Sequence, residues 1–166
     1  MRFLLALAVA LAVAAPAAAD WPEFGYTPAR SNVGPASTGI TAANVAKLRR
    51  RTIQLDGTVD SSPISVGTTI YVTTTYDRTE AISAAGRVLW RYTPPTYGSY
   101  AGSPQITNMS PIADPNRTAI YAGAPDGHIV KLAIRTGKVL WSQSITRDPT
   151  HEKLTSSLNF SRGLVR

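Results

Sequence analysis

The sequence predicts an all-β fold: a β-propeller of four-stranded antiparallel blades, incomplete at about two blades plus the start of a third, preceded by an arm and a short helix. Three observations carry this. The phrase Gly86-Arg-Val-Leu-Trp90 returns as Gly137-Lys-Val-Leu-Trp141, 51 positions later. Two further anchors recur in the same order, Ser62-Pro63-Ile64 with Ser110-Pro111-Ile112 and Ile70-Tyr71 with Ile120-Tyr121. Each repeat also breaks into four short runs of strand character separated by turn residues, and such units at about 40–50 residues are the pattern of propeller blades. A helical repeat is excluded, because Ile70-Tyr-Val-Thr-Thr-Thr75 has no 3.6-residue periodicity.

The elements follow in chain order. Residues 1–19 carry one early charge, Arg2, an apolar run from Phe3 to Ala15 and a closing Ala17-Ala18-Ala19. That is the layout of an export leader cut between Ala19 and Asp20, and its apolar run is too short to span a bilayer. The mature chain is expected to be secreted or periplasmic, with 147 residues and no membrane span. Its formal charge falls from +7 to +6 when Arg2 is lost. The positive residues are dispersed except for Arg49-Arg50-Arg51, which reads as a solvated strand end, so no nucleic-acid partner is expected. With no cysteine, the chain has no disulfide, no thiolate nucleophile and no zinc–thiolate site, although the compartment permits disulfides.

Residues 20–49 form the arm and short helix. Trp21–Gly39 is rich in Pro, Gly, Ser and Asn and reads as an extended arm. A two-turn helix is expected over Ala42–Leu48, with Thr41 as N-cap and Ile40 and Val45 as hydrophobic staple. Residues 50–166 hold the repeats, opening with a short strand at Thr52–Leu55. The blades span about 61–92 and 109–143, and a third starts near 154. In the second blade the expected strands are Pro111–Ala113, Ala119–Ala122, Ile129–Ile134 and Lys138–Ser142. Their connections, Asp114-Pro115-Asn116, Pro125-Asp126-Gly127 and Thr136-Gly137, all carry turn chemistry.

The repeated phrase has a physical reading. Glycine closes the hairpin into the outermost strand, where a positive φ costs it nothing. Alternation then puts Val88, Trp90 and Tyr92 on one face and Arg87, Leu89 and Arg91 on the other. A blade packs on a neighbour at each face, so Gly86, Trp90, Thr136, Gly137 and Trp141 are expected to dock one blade on the next.

At these residues the chain resembles the PQQ-repeat propellers, the superfamily of quinoprotein alcohol dehydrogenases and their non-enzymatic relatives. The family's blade ends in approximately Ala-x-Asp-x-x-Thr-Gly-x-x-x-Trp, matched here by Thr136, Gly137 and Trp141 and by Gly86 and Trp90 one blade earlier. Lys131 and Ala133 stand at the motif's Ala and Asp positions; the first copy is one residue shorter, with Ser83 at the Asp position. The resemblance implies a propeller of seven or eight blades, of which this chain is an N-terminal part. It also implies PQQ and Ca²⁺ as cofactors if the chain works as a quinoprotein dehydrogenase. The vicinal disulfide of the methanol and ethanol enzymes has no counterpart here, and no catalytic, cofactor or metal residue transfers onto a position of this sequence.

Loops that enter the innermost strands face a propeller's central channel. They supply the channel candidates: Asp60 and Ser61 before the first blade, and His151, Glu152 and Lys153 before the third. The latter three have the residue types of a general base or metal ligand, set against a plain polar loop. His128 reads as a strand start. Asn108, Asn116 and Asn159 head glycosylation sequons that a bacterial-type leader leaves without meaning. The expected role is a non-catalytic exported scaffold whose partners are further propeller blades or an envelope protein, with self-association where sheet edges stay unpaired. The alternative is part of a PQQ-dependent alcohol or sugar dehydrogenase.

Overall fold

The computed structural model describes residues 20–34, 38–104 and 106–166; the expected leader, 1–19, lies outside the described residues. Among the described residues, ten strands form three antiparallel sheets. The first is a meander of β1 (Ile64–Val66), β2 (Thr69–Thr74), β3 (Arg78–Ser83) and β4 (Val88–Tyr92). The second repeats it with β5 (Ile112–Ala113), β6 (Ala119–Gly123), β7 (His128–Ala133) and β8 (Val139–Ser144). A two-stranded hairpin, β9 (Phe160–Ser161) and β10 (Leu164–Val165), stands third. The only α-helical turn among the described residues, α1 (Tyr97–Tyr100), lies between the first two sheets in sequence. The architecture is an arc of a β-propeller.

Each sheet presents a face to the next, and the apolar core is divided accordingly. Ile64, Tyr71 and Ala81 of the first sheet pack with Ala113 and Ile120 of the second. Met109, Ile112 and Ile129 pack with Leu158, with Phe160 and Val165 of the hairpin beside them. The two indoles do not share one interior. Trp90 lies between the first two sheets, whereas Trp141 is 45% exposed on the far side of the second.

The outermost strands correct the simple alternation read from sequence. A bulge between Ala81 and Ile82 pairs Ala81 with Trp90 but Ile82 with Val88. Ala81 and Ile82 point to opposite faces of their strand, so Val88 leaves the Trp90 face and is exposed. The same bulge recurs between Lys131 and Leu132, where Lys131 pairs with Trp141 and Leu132 with Val139. The extra residues, Leu89 and Leu140, are exposed.

Three other expectations change. The predicted two-turn helix is only a 3₁₀ turn, Val45–Lys47, with no side-chain cap from its Asn44. Asn44 instead accepts the Thr41 N–H through Oδ1 at 2.7 Å and donates to Gly39 O at 2.8 Å. That local network competes with helix propagation, and Ile40 and Val45 remain exposed, so no apolar face rewards a longer helix. Thr52–Leu55 belongs to no sheet; Ile53 and the Arg51 stem instead stand over Gly86. Finally, the arm is not extended. Tyr26 N–H donates to Glu23 O, Arg30 N–H to Thr27 O and Asn32 N–H to Gly25 O, folding it into successive turns. Two features reserve position 25 for glycine: its φ of +77°, and a would-be Cβ that would sit 2.7 Å from Arg30 Cα.

Candidate functional site

Trp90 occupies the junction between the first two sheets. Its indole Nε1 donates to Ile134 O at 2.9 Å, and its ring lies 5.8 Å from that of Tyr71. Gly137 lies directly beneath, with φ +68°; a Cβ there would come within 2.5 Å of Trp90 Cε3. Thr136 is exposed and donates its N–H to Ala133 O at 3.1 Å. One blade along, Gly86 also has positive φ, but Arg51 and Ile53 stand where the indole stands at Gly137. Trp141 lines an open groove of about 560 Å³ with Tyr121, Lys131 and Leu140 on one side and 163–165 on the other.

The channel candidates do not converge. Asp60 is exposed. Ser61 is buried and doubly engaged, its Oγ donating to Thr73 O at 2.8 Å and accepting Thr73 N–H at 3.1 Å. His151, Glu152 and Lys153 are exposed on a turn. There His151 Nδ1 lies 2.7 Å from Asp148 Oδ2, and Glu152 Oε2 accepts the N–H groups of Arg147 and Asp148. Hydrogen bonds from Thr150 and His151 hold the Asp148 carboxyl below its ordinary range. No hydrogen bond or ion pair among the described residues joins Asp60 or Ser61 to this turn. His128 begins β7 and its Nδ1 lies 2.9 Å from Asp126 Oδ1.

The structure gathers an acidic and basic cluster that sequence reasoning missed. Asp77 is fully buried at a turn where both Tyr76 and Asp77 have positive φ. Its Oδ1 accepts Met109 N–H at 2.9 Å, while Oδ2 has no hydrogen-bond partner. Burial pushes its carboxyl up to about 6; the Met109 N–H and the neighbouring Thr107 hydroxyl restrain the rise, and the Asp126 charge adds to it. Thr73 Oγ1 donates to Met109 O, so both main-chain groups of Met109 are held from the first blade. Nearby, Glu80 is buried and receives Arg91 Nε at 2.6 Å, while Asp56 pairs with Arg78. Burial raises the Glu80 carboxyl, Arg91 opposes this, and the adjacent Asp56 reinforces it. Arg78 also stacks 4.0 Å above the Tyr97 ring. Burial, with a smaller push from Asp126, takes the Tyr92 hydroxyl up to about 12. The hairpin turn alone did not announce this pair: closed at Gly86 with Ile82 opposite Val88, it would set Trp90 against Glu80, and only the bulge between Ala81 and Ile82 brings Arg91 there.

These donors do not make a quinone or calcium site. Quinone carboxylates need cationic partners, yet Arg78 and Arg91 are committed to Asp56 and Glu80. The Ser61 hydroxyl is spent on Thr73, and no three His, Cys, Asp or Glu side chains among the described residues converge on a cation position.

Four-stranded antiparallel meanders repeated side by side, with a tryptophan of one seated on the glycine turn of the next, define the chain as a β-propeller repeat protein. It belongs to the PQQ-repeat family: the family model described as outer membrane protein assembly factor BamB matches residues 46–165. Among curated proteins, the quinohemoprotein alcohol dehydrogenase ADH IIB of Pseudomonas putida is 29% identical over 153 residues, covering 90% of this chain and 22% of its own length. The dehydrogenase subunit of the quinone alcohol dehydrogenase of Gluconobacter oxydans is 28% identical over 127 residues, 74% of this chain and 17% of its own. Among solved structures, the quinohemoprotein alcohol dehydrogenase from Comamonas testosteroni superposes with a TM-score of 0.70 at 25% identity, covering 88% of this chain and 22% of that one. The chain thus spans about a fifth of the length of the curated relatives it matches.

Proposed function

We propose that this chain is an exported, non-catalytic propeller module that binds further blades or an envelope protein. The observation that carries the reading is the commitment of its candidate donors: the Ser61 hydroxyl and the Arg78 and Arg91 guanidinium groups all serve the fold. Its binding surface is the second blade's open face, where Trp141, Tyr121 and the exposed Leu140 line the groove. Gly86, Trp90, Thr136 and Gly137 serve blade docking inside the chain, and Trp141 docks whatever covers that face. Export, with cleavage after Ala19 to a periplasmic or secreted product, rests on the leader; among the described residues no helix is long and apolar enough to cross a membrane. The family description as an outer-membrane assembly factor supports an envelope setting.

A second reading, part of a PQQ- and Ca²⁺-dependent alcohol dehydrogenase, is favoured by the curated relatives. One experiment separates the two. Refolded protein is mixed with PQQ and Ca²⁺, passed through a sizing column, and tested for quinone absorbance and for dye reduction with simple alcohols. The scaffold reading expects neither; quinone that elutes with the protein and reduces dye establishes the dehydrogenase.

A further inference from the structure

The arm meets the three blades in sequence order. Trp21 exchanges both main-chain hydrogen bonds with Ser65 of β1, at 2.8 and 2.9 Å. The next residue, Pro22, accepts the N–H of Ala113 of β5 at 2.8 Å. The next, Glu23, is buried beside Phe160 of β9, whose backbone N–H offsets part of the rise that burial gives its carboxyl. Three consecutive residues thus contact the innermost strands of three successive sheets.

The surroundings reinforce each contact. Asp20 accepts Gly67 N–H at 2.8 Å from the first sheet and Arg117 Nε at 2.9 Å from the second. Arg30 Nη2 donates to Ser157 O at 3.2 Å, and Asn159 Nδ2 donates to Pro28 O at 2.8 Å, tying the arm's far end to the hairpin. The Trp21 ring lies 5.2 Å from that of Tyr26 and closes over Gly34, so the clamp's first residue is anchored within the arm. A cavity of about 310 Å³ remains between the arm and Phe160, Ala113 and Pro115. The arm is held at points rather than packed along its length.

We propose that Trp21-Pro22-Glu23 is an ordering clamp, and that the inner-strand ends of the three blades form a peptide-binding surface whose occupant is this chain's own arm. Pairing an extended segment with strand edges supplies main-chain affinity, while the side chains set register. Proline suits the middle position, since it has no N–H to leave unpaired between two strands. The hairpin, with only two two-residue strands, is too small to be stable by itself and depends most on the clamp. This holds whether or not the propeller carries a quinone.

The test uses backbone hydrogen exchange on the mature chain. Glu23→Ala combined with Arg30→Ala is expected to speed exchange across 157–166 at least tenfold, while 119–123 in β6 keeps its protection. A synthetic peptide of residues 20–34 is expected to restore protection to that variant, and the same peptide with E23A is not. Glu23→Gln, which preserves size and packing, is expected to give a smaller acceleration confined to the same residues. Unchanged exchange at 157–166, or an equal rise in every sheet, overturns the clamp.

Discussion

Replacing Gly137 by alanine tests the blade junction most directly. The added Cβ would fall 2.5 Å from Trp90 Cε3 and 2.8 Å from Cδ2, well inside carbon contact distance. The indole cannot simply retreat, because its Nε1 is bonded to Ile134 O at 2.9 Å. Three costs follow: about 1 kcal/mol for a non-glycine residue at positive φ, about 1 kcal/mol if the indole hydrogen bond breaks, and about 1–3 kcal/mol for overpacking. Relief of one aggravates another, so a net loss of about 3 kcal/mol is expected, a large fraction of a small domain's stability. Gly67→Ala supplies the control, since Gly67 also closes a hairpin at positive φ but has nothing within 4 Å of its would-be Cβ. It should lose only the backbone part, about 1 kcal/mol. Urea unfolding followed by far-ultraviolet circular dichroism measures both. Equal losses would refute the argument that this glycine is there to receive the indole.

The two tryptophans should also separate. Trp90→Ala is expected to cost about 3–5 kcal/mol, while exposed Trp141→Ala changes unfolding stability by less than about 0.5 kcal/mol; chemical denaturation of both variants checks this. Asp77 makes the fold pH-dependent. Burial pushes its carboxyl up to about 6 from the ordinary 3.8, so the stabilisation of its neutral form is complete below the lower value and is lost as pH rises through the upper one. The difference approaches about 3 kcal/mol. Asp77→Asn should remove that component, so subtracting its stability profile from wild type between pH 4 and 7 should give a curve falling with pH; a flat difference rejects the assignment. Ser61→Ala leaves Thr73 N–H and C=O without their buried partner and should cost about 1–3 kcal/mol, read as a lower Tm.

The charged cluster shows why part of the site stayed hidden in the sequence. Glu80 and Arg78 stand in a strand whose neighbours are threonines, and a charged residue in such a strand reads as solvent-facing. The connector after the first blade returns to its tip, where Tyr97 stacks on Arg78, and Asp56 arrives from the segment before the blade. Tyr76 N–H donates to Thr107 O at 3.1 Å and the Tyr76 hydroxyl to Ser103 O at 2.8 Å. No periodicity announces that return. Asn44 is a parallel case: Thr41 has the residue type of a cap, but the Asn44 side chain, accepting from Thr41 N–H and donating to Gly39 O, outcompetes it. His151 and Glu152 were visible as chemistry-bearing residue types, yet the turn that holds them satisfies them locally.

The sequence by itself determined the repeat, the meander within each unit, and Gly86 and Gly137 at the outer hairpins with the tryptophan that follows each by four residues. These depend on local backbone preference and on alternation, which act over a few residues. Only the tertiary structure decided that Trp90 is enclosed while Trp141 lies open, that a bulge turns Val88 off the indole's face, and that three arm residues reach three blades. Those outcomes depend on which surface a neighbour covers, and identical local phrases carry no record of their neighbours.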